Sequence, residues 1–403
     1  MATWIKEKKY DREIKWILFL ISPFIGFIAS LKDIKTRSSF SILFLFFFLF
    51  GLSFSVGNIR DEQNTNDAVS YRAEFEAYKN ISFDEYIQHF RLFLTFKWPR
   101  GDYYFDTVAF IVSRISSNYH IMFAIFAIVF AFFSLKCSKL FIEEDSFDTS
   151  ISSYILLYIF FINQIINING MRFWTAAWVA VYSAFRIFRN HDRRYFLLAL
   201  ATPFFHRAYW IFIIITIISY ILRNRNRVLI FLFFISFIVS RNSVSFFQKL
   251  SNSLPPIWSQ AVLNYANEEY IQLRNQPGSG FYWLGNVFRY LEEYYIYLLI
   301  FLLIINANKI SKDDRTSNIF CFLLVLMTFV NISMPIPSLG GRFLTLAYPI
   351  VAYIWLVHFK GRKYTQILYM MPFVFSFSIL YLVAKEYPKV TDIWLYCANP
   401  FYL

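Results

Sequence analysis

Long apolar runs dominate the chain, and short charged stretches punctuate them. A helix needs about 20 predominantly apolar residues to cross a bilayer, with roughly 17 to 25 tolerated. Candidate spans cover 14–31, 39–56, 119–135, 151–167, 171–188 and 208–222. Later ones cover 228–240, 291–305, 318–334, 343–359 and 365–384. The run 195–206 is short but lies between an arginine-rich loop and another apolar run, so it counts as a span. The pattern predicts an all-α, polytopic membrane protein of about twelve transmembrane helices in one membrane domain, 1–403. Segment 105–116 is short and carries Arg114, so it reads as a re-entrant or interfacial helix packed against protein.

Composition agrees with the pattern. The chain is 58% hydrophobic and 16% charged, against roughly 25% charged residues in soluble domains. Lipid can solvate the apolar surface that a soluble fold could not hide. The first run lacks a small-residue cleavage site and reads as an anchor rather than a removed signal. Cys137, Cys321 and Cys397 are scattered and odd in number, and suggest neither a disulfide framework nor a metal site.

Charge then orients the spans. The net charge is +13. It is read as loop asymmetry and not as nucleic-acid binding, because the basic residues fall in short loops. Loops 186–194, 223–227, 309–315 and 360–363 are basic, and alternation puts all four on one side with Lys32, Lys35 and Arg37. That side is expected to be the cytoplasm. Two stretches resist. The basic Lys6, Lys8, Lys9 and Arg12 would lie outside, and the acidic loop 136–148 would lie inside. Two long segments, 57–118 and 241–290, fall outside and are expected to cap a cavity.

The polar residues of interest gather on that outer side. Asp67, Tyr71, Phe75 and Tyr78 share one helical face. Asp67 could act as a base and Tyr71 could bind a sugar; Asp102 is a second carboxylate. Asn169 and Gly170 form a turn ahead of Arg172 and Trp174, at the start of a helix. His206 and Arg207 stand at the tip of a hairpin. A histidine there can act as acid, base or hydrogen-bond donor. Arg342 follows Gly340 and Gly341 at another outer helix end, and Arg274 and Arg289 lie in or beside the second long segment. Arginines on one side, with no matching carboxylates, suit a phosphate or pyrophosphate, because the guanidinium fork pairs bidentately with its oxygens.

No Walker A lysine motif and no zinc-binding helix occurs. The Asp313-Asp314 pair sits in a basic loop and gives no metal–nucleotide signal. No cofactor or metal is expected, so the energy for any reaction must reside in the substrate.

These positions resemble the EpsG/Wzy-like membrane polysaccharide polymerases. The matching features are Gly51-Leu52-Ser53-Phe54, then Asp67 and Tyr71, then Gly170-Met171-Arg172. Phe205-His206 follows, and finally Arg342 with Tyr348. The chain departs from the pattern at Phe173, where a Gln is common, and at Arg207, where a small residue is common. The resemblance implies a membrane glycosyltransferase of GT-C type in the bacterial cytoplasmic membrane, with its active site facing outward. Its substrate would be an oligosaccharide repeat on undecaprenyl pyrophosphate, embedded in membrane lipid. A flippase and a chain-length regulator would be pathway partners. Arg172 and Arg342 would hold the leaving pyrophosphate with Arg207 or Arg289, and Asp67 or His206 would serve as base. Aromatics such as Trp174, Trp178, Tyr71 and Tyr104 would contact sugar or lipid. Two alternatives use the same outer arginines: a flippase or transporter of lipid-linked oligosaccharide, and an O-antigen ligase. No internal repeat supports a transporter.

Overall fold

Several helices begin where a small polar side chain accepts an otherwise free amide hydrogen. Thr36 accepts from the Ser39 amide at 3.3 Å, Ser82 from Glu85 at 3.2 Å and Asp313 from Arg315 at 3.0 Å. The computed structural model describes residues 5–54, 67–254, 259, 262–263, 266–267, 271–272, 282–336, 338–360 and 364–385. It is all-helical, with no strand among the described residues.

In chain order the helices are α1 (Lys9–Ile21), α2 (Pro23–Lys32), α3 (Arg37–Leu52), α4 (Asp67–Tyr78), α5 (Phe83–Leu94), α6 (Tyr104–Ile115) and α7 (Tyr119–Ile142). Next come α8 (Ile151–Phe160), α9 (Met171–Ala184), α10 (Phe196–Leu200), α11 (Thr202–Phe205), α12 (Trp210–Ile221), α13 (Asn226–Val239) and α14 (Ser243–Ser251). The last are α15 (Tyr282–Ile305), α16 (Ala307–Ile310), α17 (Asp314–Ser333), α18 (Gly340–His358), α19 (Thr365–Tyr369) and α20 (Met371–Lys385). Among the described residues five stretches are long and apolar enough to cross a bilayer: Tyr119–Ile142, Ile151–Arg189, Asn226–Ser251, Asp314–Ser333 and Gly340–His358. This is the architecture of a multi-spanning membrane protein.

The first predicted span, 14–31, is instead a hairpin. Pro23 lacks an amide hydrogen and disfavours helix in the residue before it, so α1 stops and Ser22 is extended. The chain turns back, and α2 crosses α1 so closely that a Cβ on Gly26 would come within 2.6 Å of Phe19 Cα. Lys15 supplies a second reason. It is buried inside the apolar run and needs partners. It finds Thr36 Oγ1 at 3.0 Å, Ser39 Oγ at 3.1 Å and Glu7. The Ile5 amide donates to the Lys35 carbonyl at 3.2 Å, so the N-terminal stretch lies at the same end as the Lys32–Arg37 region. The basic N-terminus therefore no longer conflicts with the other basic loops.

The acidic loop 136–148 is reconciled in the same way. Its Glu144 is buried and pairs with Arg189 and with Arg315 at 3.4 Å, and it accepts a hydrogen bond from Tyr353 at 2.9 Å. Its Asp148 pairs with Lys360 at 2.8 Å. The acids sit among the cations of the basic loops and draw them into one end of the bundle.

The predicted span 151–167 is also interrupted. α8 ends at Phe160, and a 3-10 turn, Ile165–Gly170, leads into α9. Polar contacts bridge the break. Trp178 Nε1 donates to the Asn163 carbonyl at 3.1 Å, and Asn163 Nδ2 donates to the Trp174 carbonyl at 3.0 Å. Segment 105–116 forms α6, packed against α4 and α7. Arg114 donates to the carbonyls of Tyr78 at 2.5 Å and Ile81 at 2.9 Å, satisfying the end of α4.

Candidate functional site

At the end opposite the basic loops, four segments converge on Arg172. The residue occupies the first turn of α9, where the 3-10 turn delivers it. A Cβ on Gly170 would meet the Trp174 ring at 3.1 Å and Asp67 Oδ2 at 3.9 Å, so glycine permits this close approach. Asn169 Oδ1 accepts the Ala68 amide at 3.2 Å and ties the turn to the start of α4. Asp67 and Asn169 are thus brought together, beside Trp174.

The Arg172 guanidinium is engaged on two sides. Nη1 donates to both Asp102 oxygens, at 3.1 and 3.0 Å, and Nε donates to the Tyr71 hydroxyl at 3.1 Å. The expectation of arginines without carboxylate partners fails here, because tertiary folding brings Asp102 to Arg172. Asp102 is completely buried. Burial pushes its carboxyl above the ordinary range, against the opposing pull of Arg172. Burial likewise raises the Tyr71 phenol against the same arginine.

Asp102 is held by a shaped loop. Gly101 has φ +74, the left-handed region that favours glycine. A Cβ there would press on the Arg207 side chain at 3.1 Å, so Arg207 lies across this glycine. The Arg207 amide donates to Asp102 Oδ2 at 3.4 Å, and the Tyr103 amide to the Phe204 carbonyl at 3.0 Å. The hairpin tip and the Asp102 loop thereby form one unit.

His206 sits within that unit, nearly buried. Its Nδ1 accepts the Ala208 amide at 3.1 Å, so the neutral ring carries its proton on Nε2. Burial, then the nearby charges of Arg172, Arg342 and Arg207, hold its pKa well below the usual histidine range. Arg342, at the start of α18, lies over the Phe173 ring at 5.4 Å. Phe173 also meets His206, Tyr209 and Phe343 edge-on or tilted at 5.1–5.9 Å. Phe173 is therefore an aromatic hub between the two arginines.

Other expected residues fall elsewhere. Trp178 and Tyr104 are packed in the core and do not line an open surface. Tyr348 is buried lower on α18, and Arg289 pairs with Glu293 at 3.8 Å on α15. Arg274 lies outside the described residues. A second ionic group was missed in the sequence. Arg100 bonds Glu74 and lies 3.6 Å from Asp106, which accepts from Tyr78. Only the adjacency of Arg100 to Asp102 signals it in the sequence.

Fold and site define a multi-spanning, all-helical membrane protein with an arginine-rich cluster at one end of its bundle. The model of the EpsG family matches residues 40–397, nearly the whole chain, and the chain belongs to that family. The family places it in bacterial membrane polysaccharide synthesis. No curated protein and no solved structure matches the chain.

Proposed function

We propose that this protein is a polymerase that joins oligosaccharide repeats carried on undecaprenyl pyrophosphate, at the outer face of the cytoplasmic membrane. An acceptor hydroxyl attacks the donor's anomeric carbon, and undecaprenyl pyrophosphate leaves. One observation carries this reading. Arg172, Arg207 and Arg342, from three separate segments, meet around His206: Arg207 follows it in the chain, and Arg342 and the His206 ring both pack on Phe173, the residue after Arg172. Of the three, Arg207 and Arg342 make no ion pair among the described residues. Preorganised cations in a water-poor site stabilise charge that develops on a leaving group. Arg172, held by Asp102 and Tyr71, orients the pocket, and Arg342 meets the pyrophosphate. His206 presents its Nε2 proton, which suits donation to a pyrophosphate oxygen better than proton removal. Asp67 remains the nearby candidate base.

Purified protein given repeat units on their lipid pyrophosphate should lengthen them into a ladder on a gel. Arg342→Ala should slow lengthening about 100-fold or more while the protein still inserts. Normal polymer length in that variant would remove the pyrophosphate role. The interrupted α8 favours a second reading, since transporters place broken helices at their binding sites. A lipid-linked oligosaccharide carrier would move the substrate between leaflets and leave its length unchanged.

A further inference from the structure

The α3–α7 pair carries a groove on its lipid-facing surface, far from the arginine cluster. The two helices meet closely where Gly51 lies against Ala127 and Phe123. Toward the basic loops, a groove of about 480 Å³ runs along the same pair. That volume lies within the range of small-molecule sites, about 300–1,000 Å³. Phe40, Phe44 and Leu45 wall it on α3, and Phe132 and Leu135 on α7. Ser41 also lines it, but its hydroxyl donates to the Arg37 carbonyl at 3.1 Å within the helix, so the wall stays apolar. From Phe132 to Lys139 the groove follows α7 for about 10 Å.

Cations border this apolar wall. Lys136 and Lys139 line the groove. Arg37 precedes Ser41 by one turn of α3 and shares its face. Glu143, one turn further along α7, pairs with Lys139 at 3.5 Å. Lys136 is exposed and makes no ion pair or hydrogen bond among the described residues. Its Nζ lies over the Phe132 ring, 5.2 Å from the centroid. Phe132 is itself 48% exposed, so this ammonium faces lipid. It stands six residues before the end of α7, about 9 Å into the bundle. A charge on lipid at that depth is costly without an anion. Its long stem lets the ammonium reach toward the headgroups, where phosphate is the anion at hand. Three cations against one carboxylate leave a positive excess. A zwitterionic headgroup would bring its own ammonium into that excess; an anionic one would not.

We propose that this groove binds an anionic glycerophospholipid from the leaflet at the basic-loop end. One acyl chain lies between α3 and α7. The headgroup phosphate meets Lys136, with Arg37 and Lys139 beside it. Basic sites between spanning helices recognise anionic headgroups in this way. The site goes beyond the polymerase reading and does not depend on it.

The test uses full-length protein, delipidated in detergent and titrated with dioleoyl-phosphatidylglycerol or dioleoyl-phosphatidylcholine. Native mass spectrometry counts the first lipid bound. Wild type should bind the phosphatidylglycerol at least about 5-fold more tightly, the scale of one basic residue at an anionic lipid. Lys136→Gln should erase most of that preference and leave phosphatidylcholine binding unchanged. Lys136→Arg should keep the preference. Ser41→Trp, which fills the groove, should weaken both lipids. Lys312→Gln, at an exposed lysine of another basic loop, should change nothing. No preference in wild type overturns the site. A preference that survives Lys136→Gln, or that falls equally in Lys312→Gln, also overturns it. If Lys136→Gln does not fold, unchanged phosphatidylglycerol affinity in both Arg37→Gln and Ser41→Trp overturns it.

Discussion

At the scale of residues, Arg172 is a structural and a functional group at once. It neutralises Asp102, which has no exposure to water. Removing one member of a buried ion pair strands the other, at a cost of roughly 3 kcal/mol or more. Arg172→Ala should therefore lose polymer and lower the melting temperature, and Asp102→Asn added to it should recover part of the stability. Arg342 is half-buried at its helix end and makes no ion pair among the described residues, so Arg342→Ala should lose polymer alone. His206 adds a pH dependence. Its folded pKa is depressed, so the unfolded chain binds the proton more readily as pH falls through the histidine range. Stability should then be full above about pH 6.5 and decline below it, by at most ~1.4 kcal/mol per pH unit. Melting curves between pH 7.5 and 5.5 should show a shallower slope in His206→Asn. Residue identity was legible in the sequence, since Arg172, His206, Asp102 and Tyr71 stand out by type. Their pairing was not, because Asp102 is distant along the chain from the arginine that it neutralises.

At the scale of elements, periodicity marks apolar stretches but does not say where a helix turns back. Two interruptions follow from single residues with local causes. Pro23 ends α1, and polar Asn163 coincides with the end of α8, bonded across to α9. Close packing is equally local. Gly51 on α3 faces α7, where a Cβ would overlap Ala127 and come within 2.7 Å of the Phe123 carbonyl. Small residues at such crossings let helix backbones approach. Gly51→Val should force α3 and α7 apart and cost about 1–3 kcal/mol, the usual penalty for overpacking. Thermal unfolding in detergent measures it, and an unchanged midpoint would mean that the crossing is looser than described.

At the scale of the whole molecule, charge is separated between the two ends of the bundle. One end holds the basic loops with Glu144 and Asp148 among them; the other holds the arginine cluster. The α1–α2 hairpin puts the N-terminal stretch with the basic loops. A reporter fused to the N-terminus should therefore report the cytoplasm, whereas a single span over 14–31 would send it outside. An outward reporter would contradict the hairpin. The sequence alone determined that the chain is helical and membrane-embedded, because apolar length and loop charge are local properties that need no folding to be counted. Its short motifs, in their order, also pointed to the family. The Arg172–Asp102–Tyr71 cluster and the pairing of Glu144 with Arg189 and Arg315 were decided only by tertiary structure. Each joins groups far apart in the chain, and no local pattern records which buried charge finds which partner.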